Sequence, residues 1–353
     1  MQNQIKIGDR LVGHNCPCFI VAELSANHNQ NFQTALDTVV AAKKAGADAI
    51  KLQHYTPDTI TFNSNKECFQ ITQGTLWDGT TLYELYKRAY MPWEWTSEIQ
   101  RVAQNEGLIC FSSPFDLSAV DFLETFDVPA YKIASFEITD IPLIEYVASK
   151  GKPIIISTGI ATLADIELAV HTCRLAGNEQ IALLKCSSSY PTRLEEINLL
   201  TIPNLQETFQ TIVGLSDHTL DIAVPIASVA LGAKIIEKHF ILDRSLGGED
   251  ASFSLNPDEF EQMVSAVRNV EKALGALTYE LTERQKKSKE HARSLFVVQD
   301  MKQGDLFTES NVRSIRPGCG LHPKFYNEIL GKATNMHIEK GTPLNWGMIR
   351  PLA

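Results

Sequence analysis

The sequence predicts a (β/α)8 TIM barrel followed by a small C-terminal domain. Three observations lead there. Eight short apolar runs recur over about 275 residues, most followed by a helix-like stretch, close to the ~250 residues of such a barrel. The runs end again and again in polar or ionisable residues, which packing alone does not require. Beyond them, a charged segment divides this repeat from a stretch of different texture.

Residues 5–12, Ile-Lys-Ile-Gly-Asp-Arg-Leu-Val, read as a hairpin suited to plug the barrel floor. The strand-like runs follow in order. The first four are Cys18-Phe-Ile-Val-Ala-Glu23, Ala49-Ile-Lys-Leu-Gln53, Leu108-Ile-Cys-Phe-Ser-Ser113 and Ala130-Tyr-Lys-Ile-Ala-Ser135. The next four are Pro153-Ile-Ile-Ile-Ser-Thr158, Ile181-Ala-Leu-Leu-Lys-Cys186, Ile212-Val-Gly-Leu-Ser216 and Lys234-Ile-Ile-Glu-Lys-His239. Runs this short, with Gly or Pro nearby, fit buried parallel strands better than helices. Amphipathic stretches such as 32–45 and 163–176 lie between them, the latter stopped by Gly177. Residues 54–96 make a connection far longer than the ~2–6 residues usual for such a loop. Its Trp77, Tyr83, Tyr86, Trp93 and Trp95 suit an aromatic lid over the mouth, or equally extra core or a subunit interface. An open doubly wound sheet is the alternative fold. It would carry a Gly-rich phosphate turn after its first strand, and Glu23-Leu-Ser-Ala-Asn-His28 is not one.

Residues 278–290, Thr-Tyr-Glu-Leu-Thr-Glu-Arg-Gln-Lys-Lys-Ser-Lys-Glu, read as a linker or a solvated helix. The expected division is a barrel domain at 1–277, a linker at 278–291 and a small domain at 292–353. The last part is near the lower size limit for independent stability. Its Lys-Gln-Gly-Asp and Glu-Lys-Gly-Thr-Pro turns suggest short strands with one-turn helices.

A chain of 353 residues exceeds one ordinary core, and 44% hydrophobic with 21% charged residues is the balance of a globular protein. A net charge of −10 and the lack of a basic run argue against a nucleic-acid partner, though not against an anionic small substrate in a lysine-lined cleft. Seven cysteines without a Cys-x-x-Cys fit reduced thiols. The chain begins Met-Gln-Asn-Gln-Ile-Lys, without an apolar signal core, and no run approaches the roughly 20 apolar residues of a bilayer span. The expected location is the cytoplasm, with no membrane partner.

In a barrel, the ends of parallel strands converge on one catalytic face. Here they carry Glu23, Lys51, Gln53, Ser112, Ser113, Lys132, Ser135, Glu137, Ser157, Thr158, Lys185 and Ser216. His218 and His239 close two consecutive runs, whose ends as neighbours would lie about 5 Å apart. Two imidazoles in one mouth suit a divalent metal. The blander alternative is one histidine capping a helix and the other packed in a core.

Several motifs then resemble the sialic acid synthase family. They are Glu23-Leu-Ser-Ala-Asn-His-Asn29, Phe111-Ser-Ser-Pro-Phe115, Tyr131-Lys-Ile-Ala-Ser-Phe-Glu137, Ser157-Thr-Gly159, Gly214-Leu-Ser-Asp-His-Thr219 and Glu237-Lys-His-Phe240. Arg313-Ser-Ile-Arg-Pro-Gly318 resembles that family's C-terminal antifreeze-like (SAF, β-clip) domain. Residues 76–86, Ser245-Leu-Gly-Gly-Glu-Asp250 and Arg316-Pro-Gly-Cys-Gly-Leu-His-Pro323 are similar to its pseudaminic acid branch. The neuraminic and legionaminic branches typically carry Gly-Pro-Asp where this chain has Gly248-Glu-Asp250.

The resemblance implies condensation of phosphoenolpyruvate with an open-chain amino sugar, 2,4-diacetamido-2,4,6-trideoxy-altropyranose for this branch. It implies Mn²⁺ or Mg²⁺ on His218 and His239, where two nitrogens plus substrate and water oxygens suit such an ion. It assigns phosphoenolpyruvate to Lys51, Ser113, Lys132, Ser135, Ser157 and Ser216, with Ser188 where the neuraminic branch has Asn. Glu23, Glu137 and Lys132 are the catalytic candidates, and Glu23, Tyr190, Asp250 and Arg316 the sugar contacts. The family also implies a domain-swapped homodimer in which Arg316 reaches the partner's barrel. Competing readings are a neuraminate or legionaminate synthase, a Schiff-base aldolase using Lys132 or Lys185, and a non-enzymatic glycan-binding protein.

Overall fold

The computed structural model of the chain describes residues 4–72, 74–188 and 192–351. It divides into two compact units, Met1–Gly275 and Ala276–Ala353. In the first, β1 (Gln4–Ile7) and β2 (Arg10–Gly13) pair as an antiparallel hairpin. The barrel strands follow: β3 (Phe19–Glu23), β4 (Ala49–His54), β5 (Ile109–Pro114) and β6 (Tyr131–Ile133), then β7 (Ile154–Ser157), β8 (Ile181–Cys186), β9 (Ile212–Asp217) and β10 (Ile235–His239). Each is parallel to the next, and β10 closes on β3, so all eight strands form one closed barrel and the open sheet is excluded.

The hairpin does plug the floor. Its Ile5, Ile7 and Val12 share one buried cluster with inward residues Phe19, Val21, Ala49, Phe111, Ile155, Leu184 and Ile235. Burying these apolar side chains at one end leaves the other end free for polar groups. Outward residues pack instead under the helices, in two further clusters. Local sequence sets the helix starts. Thr162 and Asn256 each form a capping box ahead of Leu163–Leu175 and Pro257–Leu274, satisfying amides that would otherwise lack partners. Gly214, in the middle of β9, is a close-approach position: a Cβ there would lie 2.4 Å from the Ile235 carbonyl oxygen and 2.6 Å from Leu184 Cδ2. Only glycine lets β9 and β10 come together there, and these are the strands that lead to both histidines.

The 54–96 connection has structure of its own, with helices at Pro57–Ile60 and Leu82–Ala89 and a 3-10 turn at Trp93–Trp95. Of the roles expected of it, added core is the one its packing shows. Trp93 packs on Phe122 and Trp95 on His28, with ring centroids 4.8 and 5.5 Å apart, as added core. Trp77 instead reaches Glu249, beside the strand ends.

The second unit pairs β11 (Ser294–Val297) with β12 (Val312–Ile315) around Leu295, Val297, Met301, Phe307, Val312, Ile329, Ile338 and Leu344. Isolated bridges and one-turn helices make up most of the rest, as the turn chemistry suggests. Within 278–290 a capped, fully exposed helix runs over Glu283–Lys289. No helix among the described residues is long and apolar enough to cross a membrane.

Candidate active site

The polar strand ends form a buried ionic cluster. In register, Glu23 neighbours both Lys51 and His239, and Ser216 neighbours Glu237. The Lys51 ammonium contacts Glu23 and lies 3.1 Å from Glu237 Oε1, while Lys132 Nζ lies 3.2 Å from that same oxygen. Ser216 Oγ donates to Glu237 Oε1 at 2.9 Å, and Gln53 Nε2 donates to Glu23 Oε1 at 3.0 Å. All four charged groups are at most 5% exposed. Two ammoniums and two carboxylates together cancel the charge that burial would make prohibitive.

The cluster's protonation follows from that pairing. Burial would raise the Glu237 carboxyl, but Lys132 and Lys51 outweigh it and hold it well below the usual carboxylate range. Burial pushes Lys51 down to about 7, against the pull of Glu237, so an incoming anion would restore its full charge. Burial likewise pushes Glu137 up to about 7, opposed by Lys132.

Around the cluster several polar atoms face the mouth without partners. Ser113 Oγ, Ser157 Oγ and Glu137 Oε2 are buried and make no hydrogen bond among the described residues. Buried hydroxyls in that state are expected where a ligand supplies the missing bond. Ser135 Oγ accepts from the Gly159 amide at 3.1 Å. A Cβ at Gly159 would lie 2.0 Å from Ser188 Oγ and 2.7 Å from Ser135 Oγ, so the glycine is what allows these hydroxyls to converge.

The paired histidines lie as their spacing suggests, with ring centroids 5.1 Å apart and Phe253 edge-on to both. Burial, then the charges of His218 and Lys51, push His239 well below its usual value and keep it neutral. Its Nδ1 is buried without a hydrogen bond, with Asp250 Oδ2 3.9 Å away. His218 Nδ1 lies 3.1 Å from the Ser187 carbonyl and 3.8 Å from Cys186 Sγ. Burial opposes the proton on His218, but Cys186 beside it outweighs burial and raises the imidazole. Among the described residues no group of three or more His, Cys, Asp or Glu is placed to hold a metal. The donor set is therefore two imidazoles, one with an unpartnered nitrogen, and it fits a cation that takes its other ligands from substrate and water.

Sequence reasoning missed the role of Glu237 and misjudged Lys185. On β10 the pleat turns Ile235, Glu237 and His239 inward and Lys238 outward, a signal that alternation along the run carries. Lys185 alternates outward between Leu184 and Cys186, and its ammonium donates to the Cys186 carbonyl at 2.6 Å, not to the ionic cluster. Ser112 also faces outward, bonded to His54 at 2.6 Å. Lys238, fully buried, donates to Asp217 Oδ2 at 2.5 Å and to the Thr219 carbonyl, fixing the turn that carries His218. Asp250 is near the mouth, bonded to the Ser25 hydroxyl and to the Ala26 amide at 3.3 Å. Tyr190 lies outside the described residues. Arg316 is exposed in the turn after β12 of the second unit.

The NeuB family model matches residues 38–279, and the SAF domain model matches residues 292–350. A pseudaminic acid synthase of Campylobacter jejuni is 51% identical over 93% of this chain and 96% of its own length. A pseudaminic acid synthase of Helicobacter pylori is 47% identical over 93% of this chain and 97% of its own. Among solved structures, N-acetylneuraminic acid (sialic acid) synthetase from Leptospira borgpetersenii, in complex with citrate, matches with a TM-score of 0.73. It is 32% identical and covers 81% of this chain and 94% of that chain. By the match to the family model and by these relatives, the chain belongs to the NeuB family and carries a SAF domain after its barrel.

Proposed function

We propose that this chain condenses phosphoenolpyruvate with open-chain 2,4-diacetamido-2,4,6-trideoxy-altropyranose, giving pseudaminic acid and inorganic phosphate. The observation that carries this reading is the buried Lys51–Glu237–Lys132 cluster, beside unpartnered Ser113 and Ser157 and the paired imidazoles. The names of the 51% and 47% identical relatives, pseudaminic acid synthases, support the product and hence the branch whose sugar this is.

In this reaction C3 of phosphoenolpyruvate bonds to the sugar's aldehyde carbon, whose oxygen becomes a hydroxyl. C2 is left as an oxocarbenium ion, water adds there, and its C–O bond to phosphate breaks to give the 2-keto acid. Lys51 and Lys132 neutralise the phosphate and carboxylate charges, and Ser113, Ser135, Ser157, Ser188 and Ser216 complete their hydrogen bonds. Lys132, 3.2 Å from Glu237, also sets its ammonium beside the departing phosphate. Glu137, with a pKa of about 7, holds the attacking water and takes its proton, while Glu23 stabilises the cationic carbon. His218 and His239 would hold Mn²⁺ or Mg²⁺, which when bound supplies Lewis-acid polarisation of the aldehyde.

Glu23 and Asp250 contact the sugar together with Tyr190. The small domain, at 292–353 after a linker at 278–291, lends Arg316 to the partner's barrel in a domain-swapped homodimer. Seven free cysteines and a substrate made in central metabolism favour the cytoplasm. The Schiff-base reading needs a free neutral amine, and both inward lysines are engaged by carboxylates.

Three measurements check this. Phosphate should be released from phosphoenolpyruvate with the diacetamido sugar and not with N-acetylmannosamine, lost on chelation and restored by Mn²⁺. Undiminished turnover after chelation would contradict it, as would equal turnover of both sugars. Because the Glu137 carboxylate is the active form and bound phosphoenolpyruvate restores the Lys51 charge, kcat should rise with pH through about 7. Glu137→Gln should lose that limb and about 10²-fold or more in rate, and an unchanged pH profile would remove Glu137 from the chemistry. Mixing inactive Arg316→Ala and His218→Ala proteins should restore part of the activity. No recovery after demonstrated subunit exchange would place Arg316 in its own barrel's site or in none.

A further inference from the structure

The 54–96 segment and the 244–250 loop meet at the mouth through contacts that the reaction itself does not use. Trp77 Nε1 donates to the Glu249 carbonyl at 3.2 Å, and Arg88 Nε donates to Glu249 Oε1 at 2.8 Å. From the opposite side Asn29 Nδ2 donates to the Leu246 and Gly247 carbonyls at 3.2 and 3.0 Å. Gly248, at φ +119, passes so close that a Cβ would lie 2.3 Å from Asn29 Oδ1. The loop is thus pinned at one flank by Asn29 and at the other, through Glu249, by Trp77 and Arg88. The next residue, Asp250, turns inward to Ser25 and towards His239.

Arg88 belongs to the helix Leu82–Ala89, which also carries Tyr86, packed edge-on against Tyr55 with centroids 5.5 Å apart. Tyr55 is 4% exposed. Burial first, then the charge of Asp250, raises its hydroxyl well above the usual value, and Glu137 acts in the same way on Tyr86. The pair is held further by Phe115, edge-on to Tyr55 with ring centroids 5.1 Å apart. The Arg88 and Glu249 side chains are 52% and 22% exposed, so their ion pair adds little to global stability. Its effect is local, on whether two irregular segments hold one arrangement.

We propose that Glu249 is a specificity-positioning residue. Through Arg88 and Trp77 it fastens the 54–96 segment to the 244–250 loop, which sets Asp250 and the Tyr55–Tyr86 pair as the wall facing the amino sugar. This rests on the reading of the site given above and adds the residue that shapes its sugar side. Of the phosphoenolpyruvate groups only Lys51, on β4, shares a strand with either segment, so the two substrates should respond differently.

The test uses Glu249→Arg, Arg88→Glu and the charge-swapped double variant of the full-length protein. Each single variant should raise KM for the sugar about ten- to a hundredfold and leave KM for phosphoenolpyruvate within about twofold. The double variant should recover most of the loss. Hydrogen–deuterium exchange over residues 74–90, without substrates, should quicken in the singles and slow again in the double, at an unchanged unfolding midpoint. Equal changes in both KM values, no recovery in the double, or unchanged exchange would overturn the proposal. If the unaltered protein released no phosphate with the sugar, the reaction assignment would fall, while the exchange data would still decide whether the latch exists.

Discussion

The site depends on one constraint: Glu237 must stay ionised in the barrel interior between two ammoniums. A lone carboxylate at that depth would protonate, and burial already draws the Lys51 ammonium toward its neutral form against the pull of Glu237. Together with Glu23, the four groups form one set of ion pairs in a place that water barely reaches. Such a cluster costs folding energy that the apolar floor must offset. The hairpin and the inward residues of the lower barrel supply that burial. The apolar end of the barrel is thus the condition for the ionic end.

The two halves of the mouth are built differently. On the lysine side, Lys51 and Lys132 converge on Glu237 and the Ser113 and Ser157 hydroxyls are left unpartnered, an arrangement suited to a small polyanion. On the histidine side the imidazoles are held by position: His239 by strand pairing, and His218 by the turn that Lys238 ties down through Asp217 and Thr219. Gly214 lets the two underlying strands approach closely enough for this. An anionic enol and an electrophilic aldehyde require such a division, with positive charge for one and a polarising centre for the other.

Much of this was legible in the chain. The eight runs, the plug and the paired histidines are local signals, because run length and end chemistry are written within a few residues. Faces were harder. Taking every polar residue at a run's end as part of the mouth put Lys185 and Ser112 on the wrong side and left Glu237 without a role, because only the pleat separates the inward set from the outward one. The contacts of the 54–96 segment lay beyond sequence reasoning for a different reason. Trp77 and Glu249 are 172 residues apart, and no periodicity encodes a meeting over that distance.

The most direct measurement is the unfolding midpoint of Glu237→Gln against the unaltered protein, each followed as phosphoenolpyruvate is added. Without ligand the variant should be less stable by ~3–5 kcal/mol, because Lys51 and Lys132 lose the carboxylate between them. Phosphoenolpyruvate should then raise its midpoint more than it raises that of the unaltered protein, since the ligand's own anions replace the missing charge. Equal stability without ligand, or a smaller shift with it, would contradict the view that this buried carboxylate balances the two lysines until an anionic substrate takes its place.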